Sequence, residues 1–452
     1  MAVWSETNII ETMRNKRIDS EFFHPQYIAF ESVVEKIQNA RLGMLGQFVI
    51  GPFGSAFHVN NYDSNSPFRY IRGKDVKPFR LLEDDNVYMP EKDYFRLHKY
   101  AICQDDLIIS VVGTLGNVAI IPEDEKGIFS CKSTLFRNPK IDAHYLLAYL
   151  NSKYGNSCLL RRQRGAVQTG LNKEDLKTVP VALASQKKQE MISSLVKNAL
   201  KCSKTSKSLY TEAQKLLELE FGLDKVKVKK TTGYIGSFSK VVLSSRTDAE
   251  FFYPEFDILS SNLPKHINFS SLSKALSFCQ RGKQPVYSDA GLTVINSKNV
   301  LANKINIENT RFAQPPIFPE LKIQYGDVLI NGTGRGTIGR AAPYLENAEA
   351  LPDNHVTILR TPGIDPVFLS VFLNSKAGQL QVEKHQRGSS GQIELYPFDI
   401  RKFLIWEAPQ KLQFEIRDLY DRALSMEKES KDLLEKAKQA VEQLIEQAAE
   451  KT

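Results

Sequence analysis

The chain has 452 residues, 42% of them hydrophobic, which is enough apolar material for more than one core and excludes an intrinsically disordered protein. Lys and Arg number 60 against 52 Asp and Glu, a formal net charge of +8 that suits a polyanionic partner. Five scattered cysteines, Cys103, Cys131, Cys158, Cys202 and Cys279, lack the paired spacing of a zinc site or disulfide framework and read as reduced, mostly packed thiols.

No apolar run approaches the length of a membrane span, and the start, MAVWSETNIIETMRNKR, is too polar for a signal peptide, so a cytoplasmic protein without membrane contact is expected. A polar opening leads to RIDSEFFHPQY at 17–27 and then to a long segment of short β-like runs. RYIRGKDV (69–76) reads as a strand running into a loop, and DDLIISVV (105–112) as a brief buried strand bounded by turn formers. GTLGNVA (113–119) follows as a tight turn, and DAHYLLAYLNSK (142–153) as a helix with Asp142 at its N-cap. A polar loop, RRQRGAVQTG (161–170), precedes a long helix that starts near SQKKQEMI at 185. The basic, glycine-containing stretch DKVKVKKTTGYIGSFSK (224–240) is a solvated linker.

After the linker the same order returns. RTDAEFFYPEF (246–256) repeats the opening motif 229 positions on, and GTIGRAA (336–342) and FLNSK (372–376) repeat their counterparts at an offset of 223. QRG at 386–388 keeps that offset, and PQKLQFEI at 409 mirrors SQKKQEMI at 185 with an offset of 224. LTVINSKNV (292–300), GDVLIN (326–331) and DPVFLSVFLNSK (365–376) complete the match, the last with Asp365 as N-cap. The chain is an internal duplication.

Each half closes on a helix whose apolar or small residues step alternately by four and three. In the second they are Ile416, Leu419, Ala423, Met426, Ser430, Leu433, Ala437, Ala440 and Leu444; in the first, Ile192, Leu195, Ala199, Cys202, Ser206, Leu209, Ala213 and Leu216. Helices of about 35 to 40 residues are about 50 to 60 Å long, more than one domain needs, and a lone helix would leave its seam wet. The two are expected to pair antiparallel, with the domains at opposite ends about an approximate two-fold axis. The expected fold is therefore α+β: two tandem homologous domains (1–184 and 241–408) separated by two long antiparallel coiled-coil helices (185–223 and 409–450), with the linker at 224–240.

Gly334, Gly336 and Gly339 stand in the spacing of a dinucleotide-binding loop, but Pro343 comes too early for the helix that such a loop must enter. The first half keeps only Gly113 and Gly116, so the shared element is a hairpin turn needing glycine's positive φ. NSPF (65–68) is similar to the Asn-Pro-Pro-aromatic tetrapeptide of DNA amino-methyltransferases, yet Ser66 replaces a proline and no methyl-donor motif lies nearby; it reads as a loop. The seven histidines have no metal spacing, and Asp105–Asp106 has the character of a solvated turn. No cofactor, metal or catalytic residue is expected.

The duplicated order, the matched helices, and GPFGSAF (51–57), GDVLINGTG (326–334) and HQRGSSGQ (385–392) together closely resemble the specificity subunits of type I restriction-modification systems, over nearly the whole chain. The resemblance implies two target-recognition domains, each reading one half of a bipartite site in double-stranded DNA. It also implies helices that dock two methyltransferase subunits, restriction subunits in the complete enzyme, and no methyl-donor or nuclease site in this chain. Because the two domains diverge between the shared motifs, the expected target is asymmetric. A competing class is a coiled-coil scaffold whose two domains bind peptides.

On the DNA reading, contact is expected from the matched polar loops: Arg162, Arg164 and Gln168 in the first half, and Lys384, Arg387, Ser389, Ser390 and Gln392 in the second. Strand exits add Arg72 and Lys74, matched by Asn296 and Lys298. Asn331, Thr333 and Arg335 flank the glycine turn, Arg281, Lys283, Gln284 and Tyr287 lie in QRGKQPVY, and Ser55 and Lys132 occupy polar spots between strand-like runs. Arg can grip guanine or phosphate, and Gln can pair with adenine. The recurring aromatics Phe22, Phe23, Phe251 and Phe252 are expected to pack rather than stack on bases.

Overall fold

The computed structural model describes residues 4–451 except 53, 84, 166–168, 223–232, 258–266, 309, 315–318, 335 and 389–392. The chain divides into two compact units, Met1–Ser203 with Glu427–Thr452, and Lys204–Met426. Two long helices, Gln186–Phe221 and Gln410–Ala449, each contribute residues to both units. Mixed helix and sheet with two long helices is the α+β class expected.

The first unit holds strands β1 (Asn39–Arg41), β2 (Gln47–Ile50), β3 (Phe68–Ile71), β4 (Tyr88–Met89), β5 (Leu107–Ser110), β6 (Val118–Ile120), β7 (Gly127–Phe129), β8 (Ser133–Arg137) and β9 (Pro180–Ala182). Its main sheet has the order β2-β8-β5-β6, all antiparallel; a second has the order β4-β3-β7 with β3 and β7 parallel, and β1 pairs with β9. Every residue of β5 and β6 is buried, which explains why these strands read as short unbroken apolar runs rather than alternating ones. Helices α1 (Pro25–Lys36), α2 (Ala143–Asn151) and α3 (Lys153–Leu160) pack on this frame. Asp142 caps α2 by accepting the His144 and Tyr145 N–H groups, and Ser152 caps α3.

The second unit repeats this plan. Its strands are β10 (Phe269–Ser271), β11 (Phe278–Arg281), β12 (Tyr287–Ser288), β13 (Leu292–Ile295), β14 (Val300–Leu301), β15 (Lys304–Ile305), β16 (Arg311–Ala313), β17 (Val328–Asn331), β18 (Ala341–Pro343), β19 (Ala350–Pro352), β20 (Val356–Arg360) and β21 (Leu404–Trp406). The sheet β11-β20-β17-β18 reproduces β2-β8-β5-β6, the parallel pair β13–β19 reproduces β3–β7, and β10–β21 reproduces β1–β9. Helices α4 (Pro366–Asn374) and α5 (Lys376–His385) are capped by Asp365 and Ser375 as their counterparts are. Ion pairs recur too: Arg137 grips buried Asp106 and donates to the Ala101 carbonyl, and Arg360 grips buried Asp327 and donates to the Lys322 carbonyl.

The glycine motif is the hairpin expected. Gly113 and Gly116 join β5 to antiparallel β6 with φ of 89° and 76°, and Gly336 and Gly339 do the same before β18 with φ of 79° and 78°. A strand, not a helix, follows in both halves.

In the second unit the Ser206 hydroxyl donates to the Ala423 carbonyl at 2.7 Å, and Tyr210 meets Tyr420 edge to face. One partner rises in number as the other falls, so the helix segments run antiparallel there. In the first unit the Ser430 hydroxyl donates to the Ala199 carbonyl at 2.7 Å, and Ile192, Val196, Ala437, Val441, Leu444 and Ile445 share the domain's core. The expected seam needs one correction. Ile192, Ala199, Ser206 and Ala213, and Ile416, Ala423, Ser430, Ala437 and Leu444, are buried, but at the alternate step burial falls on Val196, Leu217, Tyr420, Glu427 and Val441. Leu195, Leu216, Leu419, Met426 and Leu433 are only half-buried, and Leu209 is buried beside half-buried Tyr210. A four-residue step leads the 3.6-residue helical period and a three-residue step trails it, so a pattern read from letters can choose the neighbour of the inward residue.

Two further expectations change. Only Cys158 and Cys279 are buried thiols; Cys103 and Cys131 are exposed and Cys202 is intermediate, all five being free. Of the expected linker, residues 224–232 lie outside the described residues, and Phe238 opens a short helix, Phe238–Ser244. No helix among the described residues is long and apolar enough to cross a membrane.

Candidate nucleic-acid interface

In the first unit, one edge collects the exit of β3, the β5–β6 turn, the β7–β8 turn and the loop after α3. The Val111 and Val112 N–H groups both donate to the Lys132 carbonyl, at 2.9 and 3.3 Å. Gly73 packs so closely that a β-carbon there would stand 2.9 Å from the Lys132 β-carbon. Val112 bridges to Gly170, and Arg164 and Gly170 exchange two backbone hydrogen bonds of 2.8 Å that close the loop between them. The second unit assembles the matching edge. Gly332 N–H donates to the His355 carbonyl, Leu395 N–H to the Gly332 carbonyl, and Arg387 and Glu394 exchange backbone bonds of 2.7 and 2.8 Å. His355 stands 223 positions after Lys132.

The strand exits show how the edge is stiffened. The Arg72 N–H donates to the buried Asp75 carboxylate at 2.8 Å, and the Asn296 N–H to the Asn299 side-chain oxygen at 3.0 Å, the same turn in both domains. Arg72 also forks onto Asp75 through Nε and Nη2 (3.0 and 2.9 Å). Asp85, exposed on the opposite loop, takes the Lys74 ammonium at 2.8 Å, and that hydrogen bond holds its carboxyl below the ordinary range. Ser55 is exposed, as is Lys132, whose side chain makes no ion pair or hydrogen bond among the described residues. Arg164 is exposed and forks onto Asp175.

In the second domain Arg281 donates to Glu394 at 3.2 Å and to the Gly332 carbonyl at 3.3 Å, and lies over the Tyr396 ring. A hydrogen bond from Tyr396 and then the Arg281 charge keep the Glu394 carboxyl below its usual range. Thr333 Oγ1 meets His355 Nδ1 at 2.7 Å. Arg387 forks onto buried Asp399 at 2.6 and 3.0 Å and lies over Phe398. Lys384 reaches over Phe251, and the Arg311 guanidinium lies 3.2 Å from the Tyr287 ring centre. Lys283, Gln284 and Lys298 are exposed, and the Asn296 side chain accepts the Lys298 N–H.

Two expected contact residues are buried instead. Arg162 is 4% exposed, with its guanidinium forked onto Glu31 of α1. Asn331 is fully buried, and its amide donates to the Ser297, Val300 and Thr337 carbonyls. Each has spent its donors inside the fold, so neither reaches a groove. Gln168, Arg335, Ser389, Ser390 and Gln392 lie outside the described residues. Phe22 and Phe23 are buried and Phe251 and Phe252 half-buried, as packing requires. Letter patterns missed Glu31, Asp75, Asp85, Asp175, Glu394 and Asp399, the partners that orient the basic residues, and His355, which meets Thr333. Glu31 and Glu394 lie more than 100 positions from the cations that they hold, and Asp85, Asp175 and Asp399 lie 11 or 12 from Lys74, Arg164 and Arg387. Among the described residues no group of three or more His, Cys, Asp or Glu is placed to hold a metal.

Neither a family model nor a curated protein sequence matches the chain. Among solved structures it is similar to the S subunit of a type I restriction-modification system from M. genitalium, with 12% identity over 89% of this chain and 94% of that one, at a TM-score of 0.41. A second similar structure concerns complex assembly and conformational transition of the type I R-M system, with 14% identity, 91% and 97% coverage and a TM-score of 0.31. A third is the HsdS subunit from Thermoanaerobacter tengcongensis, with 13% identity, 90% and 95% coverage and a TM-score of 0.27. All three scores lie below one half.

Proposed function

We propose that this chain is a non-catalytic, sequence-specific reader of double-stranded DNA, with one reading edge on each of its two homologous domains. More particularly, it serves as the specificity subunit of a type I restriction-modification enzyme, its domains falling at 1–184 and 241–408. The observation that carries this is the repetition of one sheet order with the same four connections gathered at one edge, each edge bearing basic side chains and the second also the amides of Gln284 and Asn296. A reader built twice suits a bipartite target. The two edges differ in chemistry, Lys132 against His355 and Arg72 against Asn296, which favours two different half-sites over a palindrome.

The paired long helices act as the ruler that sets the unread spacer, and their outer faces dock two methyltransferase subunits, to which restriction subunits join. Within the edges, Lys74, Lys132, Arg164, Lys283 and Lys298 are the phosphate contacts, and Arg72, Gln284, Tyr287, Asn296 and Thr333, with Gln168 and Gln392, are the base contacts. Arg281, Arg387, Lys384, Ser55, Arg335, Ser389 and Ser390 complete the interface. Arg72 and Lys74 share the displaceable Asp85, so a phosphate can take that carboxylate's place without stranding a charge.

Selection of bound duplexes from a random library, at several salt concentrations, tests this. The expected result is enrichment of a bipartite asymmetric site and a steep fall of affinity with salt. A peptide-binding scaffold would enrich nothing.

A further inference from the structure

Resting on the DNA-reading role proposed above, we infer that Arg17 and Arg246 are positioning residues that fix the root of the reading loop in their respective domains, so that the duplicated Arg-x-Asp-x-Glu-Phe-Phe motif is a loop clamp. The motif recurs in both halves, yet it lies far in sequence from the loops. Arg17 is 4% exposed. Its Nε and Nη2 donate to the two Asp19 oxygens, both at 2.6 Å, and Nη2 also donates to the Gln163 carbonyl at 2.5 Å. The guanidinium carbon lies 4.7 Å from the centre of the Phe22 ring, and Arg161 stands 4.3 Å from the same ring while its Nε donates to the Phe22 carbonyl at 3.0 Å. The gripped carbonyl immediately precedes Arg164, whose backbone closes the loop onto Gly170.

The second domain repeats the clamp. Arg246, also 4% exposed, forks onto Asp248 and donates to the His385 carbonyl at 3.2 Å and the Gln386 carbonyl at 2.9 Å, with its guanidinium carbon 4.5 Å from the Phe251 ring centre. Gln386 immediately precedes Arg387, which closes onto Glu394. The next residue is a glycine in the left-handed region in both domains, Gly165 at φ 104° and Gly388 at φ 102°, so the chain turns sharply just beyond the grip. A planar guanidinium can hold a carboxylate with one edge while donating to a carbonyl, in a fixed mutual geometry that lysine lacks. Base reading requires side chains held to about 0.5 Å, whereas phosphate contact tolerates slack. Loosening the root therefore costs discrimination before it costs affinity.

The test is duplex selection with the full chain, comparing wild type, R17A, R17K and R246A, together with hydrogen exchange of the loop-closing amides. R17A and R17K are expected to relax preference by about tenfold in one half-site only, R246A in the other. The salt dependence should stay unchanged, and exchange should rise at Arg164 and Gly170 or at Arg387 and Glu394. Should R17A fail to fold, D19N loosens the same fork from a carboxylate that is 44% exposed and is read in the same two ways. Variants that fold and select both half-sites as wild type does would overturn the clamp and leave the proposed function standing. A wild-type chain that enriches no sequence would overturn the proposed function, and the clamp with it.

Discussion

At the scale of single residues, position 162 and its repeat, 385, show how one backbone plan tolerates different buried chemistry. Arg162 is held by Glu31, so E31A strands a buried guanidinium and is expected to cost about 3 to 5 kcal/mol, read as a lower denaturant midpoint. His385 has no such carboxylate; it lies between the Phe251 and Phe403 rings. Burial, then the Lys384 charge, push its imidazole down to about 4, with Lys402 and Arg246 adding to the effect and Asp399 opposing it. The unfolded chain, with an ordinary histidine near 6.5, then binds the extra proton between these two values. Stability is unaffected above about pH 6.5, falls as the pH drops toward 4, and loses about 3 kcal/mol over that window. Melts of H385Q across this range should lack that part of the decline. At the edge, K132A is expected to weaken binding to all duplexes alike and to lower the salt slope by about one, whereas N296A should relax one base position by about 1 to 3 kcal/mol.

At the scale of elements, the long helices approach closely because alanine and serine recur in their seam. Ser206 and Ser430 make the same hydrogen bond with the helices' roles exchanged, each hydroxyl reaching a carbonyl of the facing helix. Removing either as S206A or S430A is expected to cost about 1 kcal/mol, and A423L, which adds bulk at a fully buried site, about 1 to 3 kcal/mol or more. Denaturant melts of the single variants check both. The heptad spacing was legible in the sequence, as were the capping aspartates and the hairpin glycines, since each depends on local chain geometry. The alternate seam position was not legible, because adjacent residues such as Leu419 and Tyr420 are both apolar and only the facing helix separates them.

For the whole molecule, the proposed ruler makes a quantitative demand. Seven residues inserted into both long helices preserve the seam and add about 10 Å, which corresponds to about 3 base pairs. Duplex selection should recover the same two half-sites with a spacer longer by that amount, and insertion into one helix alone should destabilise the chain. Unchanged spacing in the double insertion would remove the helices from that role. Which loops correspond between the two domains was legible at this scale because duplication marks the loops that are built to one plan. Arg162 and Asn331 misled, since a polar residue in a matched loop carries the same letter whether it faces solvent or a buried partner such as Glu31.

By itself the sequence determined the duplication, the order of elements, the long helices and the loops that correspond between halves, because periodicity and turn chemistry are local properties carried by neighbouring residues. Tertiary structure alone decided that the loops of each domain meet at one edge, which basic residues are exposed and which are spent on buried carboxylates, and that the motif opening each half grips the root of a loop some 140 positions away. Those outcomes depend on pairs of residues far apart in the chain, and such pairs exist only once the sheets and helices have closed around them.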